Sequence, residues 1–125
     1  MKKILFTALM LVCVAMSAVA GAKIKFDKFE HDYGTFSAKD GVQVCVFTFF
    51  NTGDKPLLIT QAVASCGCTV PSYTKQPIQP GGKGELKVTY NGAGKFPGKF
   101  KKSITVRTNG MLEMTRLYVE GEMTE

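Results

Sequence analysis

The sequence predicts an all-β protein, an immunoglobulin-like antiparallel β-sandwich of about seven strands. Three observations lead to this prediction. Apolar and polar residues alternate with a period of two in several segments, which is typical of strands that are buried on one side. Turn-forming Gly, Pro and Asn residues separate these segments at short, fairly even intervals, and no mature segment shows helical periodicity. An open or closed barrel is the alternative, because periodicity does not determine which strands pair.

The first 20 residues have the features of a secretory signal peptide. Lys2 and Lys3 form a positive n-region, an apolar stretch follows, and Ser17–Ala20 supplies a small-x-small cleavage pattern. The apolar stretch is shorter than the roughly 20 residues that a bilayer-spanning helix needs, so we expect no transmembrane segment after cleavage. The sequence therefore predicts that residues 21–125 form a single domain, exported to the periplasm or the extracellular space without a lipid anchor.

Two segments rich in apolar residues predict the first strands of this domain. The first, AKIKFDKFEHDYGTF, alternates around Ile24, Phe26 and Phe29 and breaks at Gly34, which suits a kinked strand. The second, VQVCVFTFF, is rich in β-branched and aromatic residues and ends at the strong turn signal NTGDKP. Its core-facing residues are predicted to be Cys45, Phe47 and Phe49.

The rest of the chain predicts four further strands. They are LLITQAVAS, ELKVTYN, KFKKSITVRTN and LEMTRLYVEGEM, and the segment KQPIQPGGKG is read as an extended crossing and a turn. Asn109-Gly110 between the last two strands is the best hairpin signal in the chain. In the first of the four, Leu57, Ile59 and Gln61 share one face. The apolar faces of the other three carry Leu86, Val88 and Tyr90; Ile104 and Val106; and Leu117 and Val119.

Three cysteines remain after loss of Cys13 with the leader, and one of them must stay unpaired within a monomer. An oxidising compartment favours a disulfide over free thiols. Cys66 bonded to Cys68 would close a small, strained ring that is easily reduced. Cys45 bonded to Cys66 or Cys68 would instead close a loop of about 20 residues, worth roughly 3 kcal/mol. Both pairings remain open at this level.

A metal site is the third arrangement for these cysteines. Thiolates at Cys66 and Cys68 can face the same way on an extended segment, and soft sulfur ligands suit copper(I) or zinc. A closed zinc site would also need Cys45 and His31 from distant segments, and a copper site would draw on Met111 or Met114. No cofactor is therefore required by the sequence, although copper or zinc is an alternative at SCGCT.

The chain resembles the domain of unknown function 1573 family of short, exported, immunoglobulin-like domains common in Bacteroidetes. The residues that carry the resemblance are HDYGTF (31–36), FTFFNTGDKPLLI (47–59), SCGCTVP (65–71), IQPGGKGELKVTYN (78–91), GKFKKSITVRTN (98–109) and LYVEGEM (117–123). The resemblance implies a sandwich akin to adaptor and chaperone-like modules, and it implies no established activity. Cys45 departs from the family pattern, so a mechanism that needs Cys45 is not implied by the resemblance.

Catalysis is not expected from this set of residues. His31 is the chain's one histidine and would be the base of any Ser-His-Asp or Cys-His arrangement, while adjacent Asp32 points to the other side of a strand. The sequence therefore predicts a non-enzymatic binding or assembly module of the cell envelope that uses a sheet edge or loops. The alternative is a small extracytoplasmic thiol or copper-binding protein that uses SCGCT.

The expected partner is an envelope protein or polymer. Sixteen Lys and Arg residues against ten Asp and Glu residues give a formal net charge of +6, and loss of Lys2 and Lys3 leaves fourteen basic residues and a charge of +4. No nucleic-acid recognition motif is present, so nucleic acid is not an expected partner. A basic segment near residue 100 predicts contact with an anionic surface through Lys95, Lys99, Lys101 and Lys102.

Overall fold

The structure is a computed structural model that describes residues 21–110 and 114–125. The predicted leader, residues 1–20, lies outside the described residues. Within those residues the chain forms eight strands and a short 3-10 turn at Ala38–Asp40. The strands are β1 (Ile24–Phe26), β2 (Glu30–Ser37), β3 (Gln43–Asn51), β4 (Ile59–Ala64), β5 (Thr69–Tyr73), β6 (Lys83–Tyr90), β7 (Gly98–Thr108) and β8 (Met114–Thr124).

The strands form two four-stranded sheets that pack face to face. The first sheet has the order β1-β3-β6-β5 and the second has the order β2-β8-β7-β4. This arrangement confirms the predicted immunoglobulin-like sandwich, and it differs from the barrel that was the alternative. No helix among the described residues is long and apolar enough to cross a membrane.

The segment predicted as one kinked first strand is two strands in different sheets. β1 pairs antiparallel with β3, and after residues 27–29 the chain crosses over, so that β2 pairs parallel with β8. The sandwich therefore contains one parallel pair. Phe29, one of the apolar residues of the predicted alternation, lies in this crossing and is 54% exposed. The predicted kink is confirmed, since the register of β2 shifts between Asp32 and Thr35 and Gly34 has a φ of 76°.

The predicted alternation holds on four strands. β3, β6, β7 and β8 each turn every second side chain into the space between the sheets, where the apolar residues lose contact with water. The predicted core residues on these strands are all buried: Cys45, Phe47, Phe49, Leu86, Val88, Tyr90, Ile104, Val106, Leu117 and Val119. The hairpin between β7 and β8 is also confirmed by their antiparallel pairing, which brings Arg107 opposite Met114.

The predicted face of LLITQAVAS holds only for its first half. Leu57 and Ile59 are buried, but the pairing register of β4 shifts between Ile59 and Gln61. This β-bulge adds a residue, so Ala62 faces inward and Gln61 is exposed. Strand β5, which contains Pro71 and pairs with β6, was not among the predicted strands.

Candidate functional site

The segment Cys66–Cys68 connects β4 to β5, so it links the second sheet to the first at one side of the sandwich. Cys66 and Cys68 are joined by a disulfide bond. The Cys68 N–H donates a hydrogen bond to Cys66 Sγ at 3.2 Å, and the Thr69 N–H donates to the Cys66 carbonyl at 3.0 Å. The turn is therefore closed by backbone hydrogen bonds as well as by the covalent bond.

The disulfide packs on an aromatic cluster at one end of the sandwich. Cys68 is buried there with Phe36, Tyr90 and Met123, and Cys66 lies partly buried against the same group. The rings of Tyr90 and Phe100 stack with their centroids 3.9 Å apart. One side of the disulfide thus faces hydrocarbon, and Cys66 leaves a part of it open to solvent.

Cys45 is a free thiol buried between the sheets. It lies opposite Val88 of β6, and Pro71 of β5 lies opposite Val88 on the other side. Since β6 lies between β3 and β5, Cys45 on β3 is about 10 Å from the turn that precedes β5, which is beyond the reach of a disulfide. Of the pairings left open by the sequence, the structure contains the bond between Cys66 and Cys68.

The environment of Cys45 makes its thiol unreactive. Burial raises the pKa of the Cys45 thiol, which outweighs the opposing effects of the Tyr33 hydroxyl and the Lys28 charge. Burial likewise raises the pKa of Tyr33, whose hydroxyl donates to the Val88 carbonyl at 2.9 Å. Because the thiolate is the nucleophile and the metal ligand, Cys45 is suited to packing.

Thiol counting on the natively exported protein tests this arrangement. We expect Ellman's reagent to detect almost no thiol in the folded protein, one thiol after denaturation and three after denaturation with reduction. The reason is that Cys45 is buried and Cys66 and Cys68 are bonded to each other. Three reactive thiols in the denatured, unreduced protein would contradict the pairing, and a Cys45→Ser control should lose the single thiol.

The sequence-derived copper or zinc site would require a reduced Cys66–Cys68 pair, because the bonded sulfurs are not thiolates. Among the described residues, no group of three or more His, Cys, Asp and Glu side chains is placed to hold a metal ion. His31 lies on β2, three strands from β4 in the same sheet, and its Nδ1 is 3.0 Å from Lys28 Nζ. Partial burial, followed by the Lys28 charge, lowers the pKa of His31. Met111 lies outside the described residues.

The four predicted anion-binding lysines do not form one surface. Lys95 lies in the loop between β6 and β7, Lys99 and Lys101 project outward from β7, and Lys102 is half-buried on the opposite side of that strand. Lys101 Nζ is 3.1 Å from Glu30 Oε1, an ion pair that raises the pKa of Lys101.

The residues of β8 that lie opposite Lys99 and Lys101 are acidic. Lys99 lies opposite Glu122 and Lys101 opposite Glu120. The outer face of the second sheet therefore carries interleaved charges of both signs rather than a basic patch.

The sequence predicted binding at a sheet edge or at loops, but it did not reveal which strands form the edges. Each sheet ends in two strands that leave main-chain groups unpaired on one side: β1 and β5 in the first sheet, β2 and β4 in the second. Unpaired edges attract extended segments of other chains, and natural sheets protect them with shortness, proline, charge or bulges. The four edges differ in these respects.

Three edges are protected. β1 has only three residues, and β2 carries a bulge and the charged residues Glu30 and Asp32. Hydrogen-bonded and non-hydrogen-bonded residue pairs alternate along an antiparallel pair of strands. The Thr74 N–H donates to the Glu85 carbonyl, so Pro71, three residues earlier, belongs to a non-hydrogen-bonded pair, and its main-chain groups point away from β6. Proline has no N–H to donate, so β5 offers a poor template.

The edge of β4 carries a β-bulge between Ile59 and Gln61, but residues 61–64 pair regularly with β7 and include neither proline nor charge. The Ser65 N–H donates to the Ser103 carbonyl at 2.9 Å, so Val63 and Gln61 make the hydrogen-bonded pairs with β7. The N–H and C=O groups of Ala62 and Ala64 therefore point to the open side. The side chains of these two alanines lie partly buried against the core. Small inward side chains and unpaired main-chain groups thus coincide on β4.

The comparisons with known proteins agree with this architecture. A family profile described as "Protein of unknown function (DUF1573)" matches residues 24–123. Comparison with curated protein sequences gives no significant match.

Solved structures of similar fold include chaperones and a protein of unknown function. A protein of unknown function from Porphyromonas gingivalis W83 has a TM-score of 0.70 and 18% identity, over 87% of this chain and 50% of that one. The periplasmic chaperone SfaE has a TM-score of 0.64 and 11% identity, over 82% of this chain and 58% of that one. The PapD-like domain 7 of human CEP192 has a TM-score of 0.67 and 10% identity, over 88% of this chain and 91% of that one.

At these identities the likeness establishes the fold alone. The chain spans about half the length of the Porphyromonas protein.

Proposed function

The chain belongs to the DUF1573 family, whose members are described as proteins of unknown function, and we propose that it is an exported, non-enzymatic module that binds an extended segment of a partner protein along β4. The YadV chaperone and the periplasmic chaperone SfaE share its fold at 16% and 11% identity. Their likeness suggests binding of other proteins, and the edge of β4 supplies the geometry for it.

The open main chain of Ala62 and Ala64 carries the proposal. An added strand that pairs with these residues gains up to four main-chain hydrogen bonds, and such bonds give affinity independent of sequence. A partner strand would extend the sheet from β2-β8-β7-β4 to five strands. Binding of this kind needs no catalytic residue.

The side chains beside this edge define the chemistry of the partner segment. Ala62 and Ala64 face inward and are small, so the alternate partner residues that face inward should be apolar and can cover partly exposed core. On the outer face the partner lies beside Gln61 and Val63, which suits polar or small apolar residues. We therefore infer a segment with alternating apolar residues and without proline.

Separate groups of residues support export and the lack of catalysis. The leader-like sequence of residues 1–20 and the Cys66–Cys68 disulfide both suit an oxidising compartment. Neither Cys45, with its raised pKa, nor His31, whose Nδ1 contacts Lys28, has the surroundings of an activated nucleophile or a general base.

Site-specific photo-crosslinking in the native envelope tests the proposal. A photoreactive residue at Val63 should give a discrete adduct with a partner protein, because this side chain stands on the edge strand and is 49% exposed. The same residue at Arg116, two strands inward on the outer face, is the matched control and should give none.

Ala62→Pro provides the second control. Its N–H points away from β7, so proline there removes a donor from the open edge and keeps the hydrogen bonds of Val63 to β7. We expect this variant to fold and to lose the Val63 adduct. In the free protein the amide protons of Ala62 and Ala64 should exchange quickly and that of Val63 slowly. An adduct that persists in Ala62→Pro, or equal adducts from Arg116, would contradict binding along β4.

A further inference from the structure

The turn after β3 binds the residues that precede β1. Residues 51–54 have the sequence NTGD, which was predicted only as a turn. The Thr52 N–H donates to the Lys23 carbonyl at 2.9 Å, and the Lys23 N–H donates to Asn51 Oδ1 at 3.3 Å. These bonds hold the main chain before Ile24 against the turn, beyond the pairing of β1 with β3.

Asp54 binds both main-chain groups of Gly21. The Gly21 N–H donates to Asp54 Oδ1 at 2.6 Å, and the Asp54 N–H donates to the Gly21 carbonyl at 3.0 Å. One residue of the turn thus holds one residue of the preceding segment from two directions. The Asp54 carboxylate is exposed, and the Gly21 nitrogen lies beside it at the surface.

The close approach of the two segments requires glycine at position 53. A Cβ on Gly53 would overlap the Gly21 carbonyl oxygen and would lie 2.7 Å from the Lys23 nitrogen. Ala22, between these two residues, is 3% exposed and belongs to the hydrophobic core. Residues 21–23 are therefore packed into the domain, immediately after the predicted cleavage point.

Removal of the leader would change the charge of the Gly21 nitrogen. The small-x-small pattern places the scissile bond between Ala20 and Gly21. Hydrolysis adds water across this peptide bond, so that Ala20 leaves with a new carboxylate and the Gly21 nitrogen becomes an amine. Amino termini titrate at about pH 8, so at neutral pH this amine takes up a proton. Cleavage thus converts a neutral amide that already contacts Asp54 Oδ1 into a cation.

We propose that Asp54 is the binding site for the amino terminus that signal peptidase creates, and that its carboxylate forms an ion pair with the Gly21 ammonium. A hydrogen bond between two charged groups is stronger than one between an amide and a carboxylate. Most surface ion pairs contribute little, because two long side chains must be held in one geometry. Here one partner is a main-chain atom that is already in place and the other is the short side chain of Asp54, so less conformational entropy is lost. Processing therefore strengthens the attachment of residues 21–23 to the turn.

The ion pair rests on the proposed export, because removal of the leader creates the ammonium group. It is separate from binding along β4. Its atoms belong to Gly21 and Asp54, and both residues lie outside β4 (Ile59–Ala64). Failure of strand binding at β4 would therefore leave the ion pair intact, and loss of the ion pair would leave the edge of β4 unchanged.

Intact-mass measurement and amino-terminal sequencing of the exported protein test the cleavage point. We expect a chain that begins at Gly21. A chain that begins at any other residue would overturn the proposal, because Gly21 would then be absent or would keep a neutral amide. A chain that retains the whole leader would contradict the proposed export as well as the ion pair.

Thermal unfolding of four purified chains at pH 7 measures the ion pair directly. Two chains begin at Gly21, with Asp54 or with Asp54→Asn, and the other two retain Ala20, so that the Gly21 nitrogen stays an amide. With Asp54 present, we expect the chain that begins at Gly21 to have a Tm about 2–4 °C higher than the chain that retains Ala20. With Asp54→Asn the difference should fall to about 1 °C or less, because Asn keeps an oxygen acceptor and removes the charge. High salt should also reduce the difference, since the pair is exposed.

Asp27→Asn is the matched control. Asp27 Oδ1 also accepts an exposed main-chain N–H, that of Thr48 at 3.2 Å, and this nitrogen is an amide in every chain. Asp27→Asn should therefore change the Tm of both chains equally and keep the difference between them. The proposal is refuted if the two chains with Asp54 have the same Tm, if their difference persists in Asp54→Asn, or if Asp27→Asn abolishes it as well.

Discussion

Replacing Phe49 by alanine is expected to lower the free energy of unfolding by about 3–5 kcal/mol. The Phe49 side chain is fully buried between the sheets, and its ring centroid lies 5.7 Å from that of Phe26. Its ring also fills the space beside Gly84, where an added Cβ would lie 2.5 Å from Cζ of Phe49. Removal leaves a cavity in a small domain with a net stability on the order of 5–15 kcal/mol. Urea denaturation followed by circular dichroism measures the loss.

The neighbouring phenylalanine is the matched control. Phe50 follows Phe49 on the same strand, points to the outer face of the first sheet and is 38% exposed. Phe50→Ala should cost about 1 kcal/mol or less, because the ring lies on the outer face, already contacts water in part, and leaves no cavity between the sheets when it is removed. Equal losses for the two variants would contradict the assignment of Phe49 to the core and of Phe50 to the outer face.

The same alternation explains why much of the fold was predictable. A strand buried on one side must place apolar residues at every second position, and β3 and β6 do so without interruption. The sequence of β3 therefore determined the inward face of Phe49 before any pairing was known. Pairing itself depends on contacts between distant segments, which a period of two does not encode.

Local irregularities account for the errors. The β-bulge between Ile59 and Gln61 reverses the faces of β4, and no glycine or proline marks it in ITQAVA. The segment TVPSY was not predicted as a strand because proline is unfavourable in most sheet positions. In β5 the nitrogen of Pro71 points to the open edge, where no hydrogen bond is lost.

The candidate sites were predictable only in part. SCGCT was recognisable at the end of a strand, but its pairing depended on β6 lying between Cys45 and the turn. Lys99 and Lys101 formed a basic run in sequence, and their acidic neighbours, Glu122 and Glu120, come from β8. The open edge of β4 follows from strand order, which is a property of the whole fold.

Replacing Asn51 by alanine is expected to lower the free energy of unfolding by about 2–4 kcal/mol, a large effect for a residue in a turn signal. The Asn51 side chain is 1% exposed. Its Nδ2 donates to the carbonyls of Lys55 at 2.7 Å and Ile78 at 2.9 Å. Its Oδ1 accepts from the N–H groups of Gly53 at 2.9 Å and Lys23 at 3.3 Å. Alanine would leave these main-chain groups without their partner in a place that water reaches poorly.

Asn109 offers the matched comparison, because it also braces a neighbouring loop at the end of a strand but is exposed. Its Oδ1 accepts from the Leu58 N–H at 2.9 Å and its Nδ2 donates to the Pro56 carbonyl at 3.2 Å. Water can replace both bonds, so Asn109→Ala should cost about 1 kcal/mol or less in the same denaturation experiment. Asn51→Asp should be at least as destabilising as Asn51→Ala, because it turns donors that face two carbonyls into acceptors and adds a buried charge. If Asn51→Ala and Asn109→Ala lower the free energy of unfolding by the same amount, burial does not determine the contribution of Asn51. Its hydrogen bonds then contribute no more than those of an exposed turn.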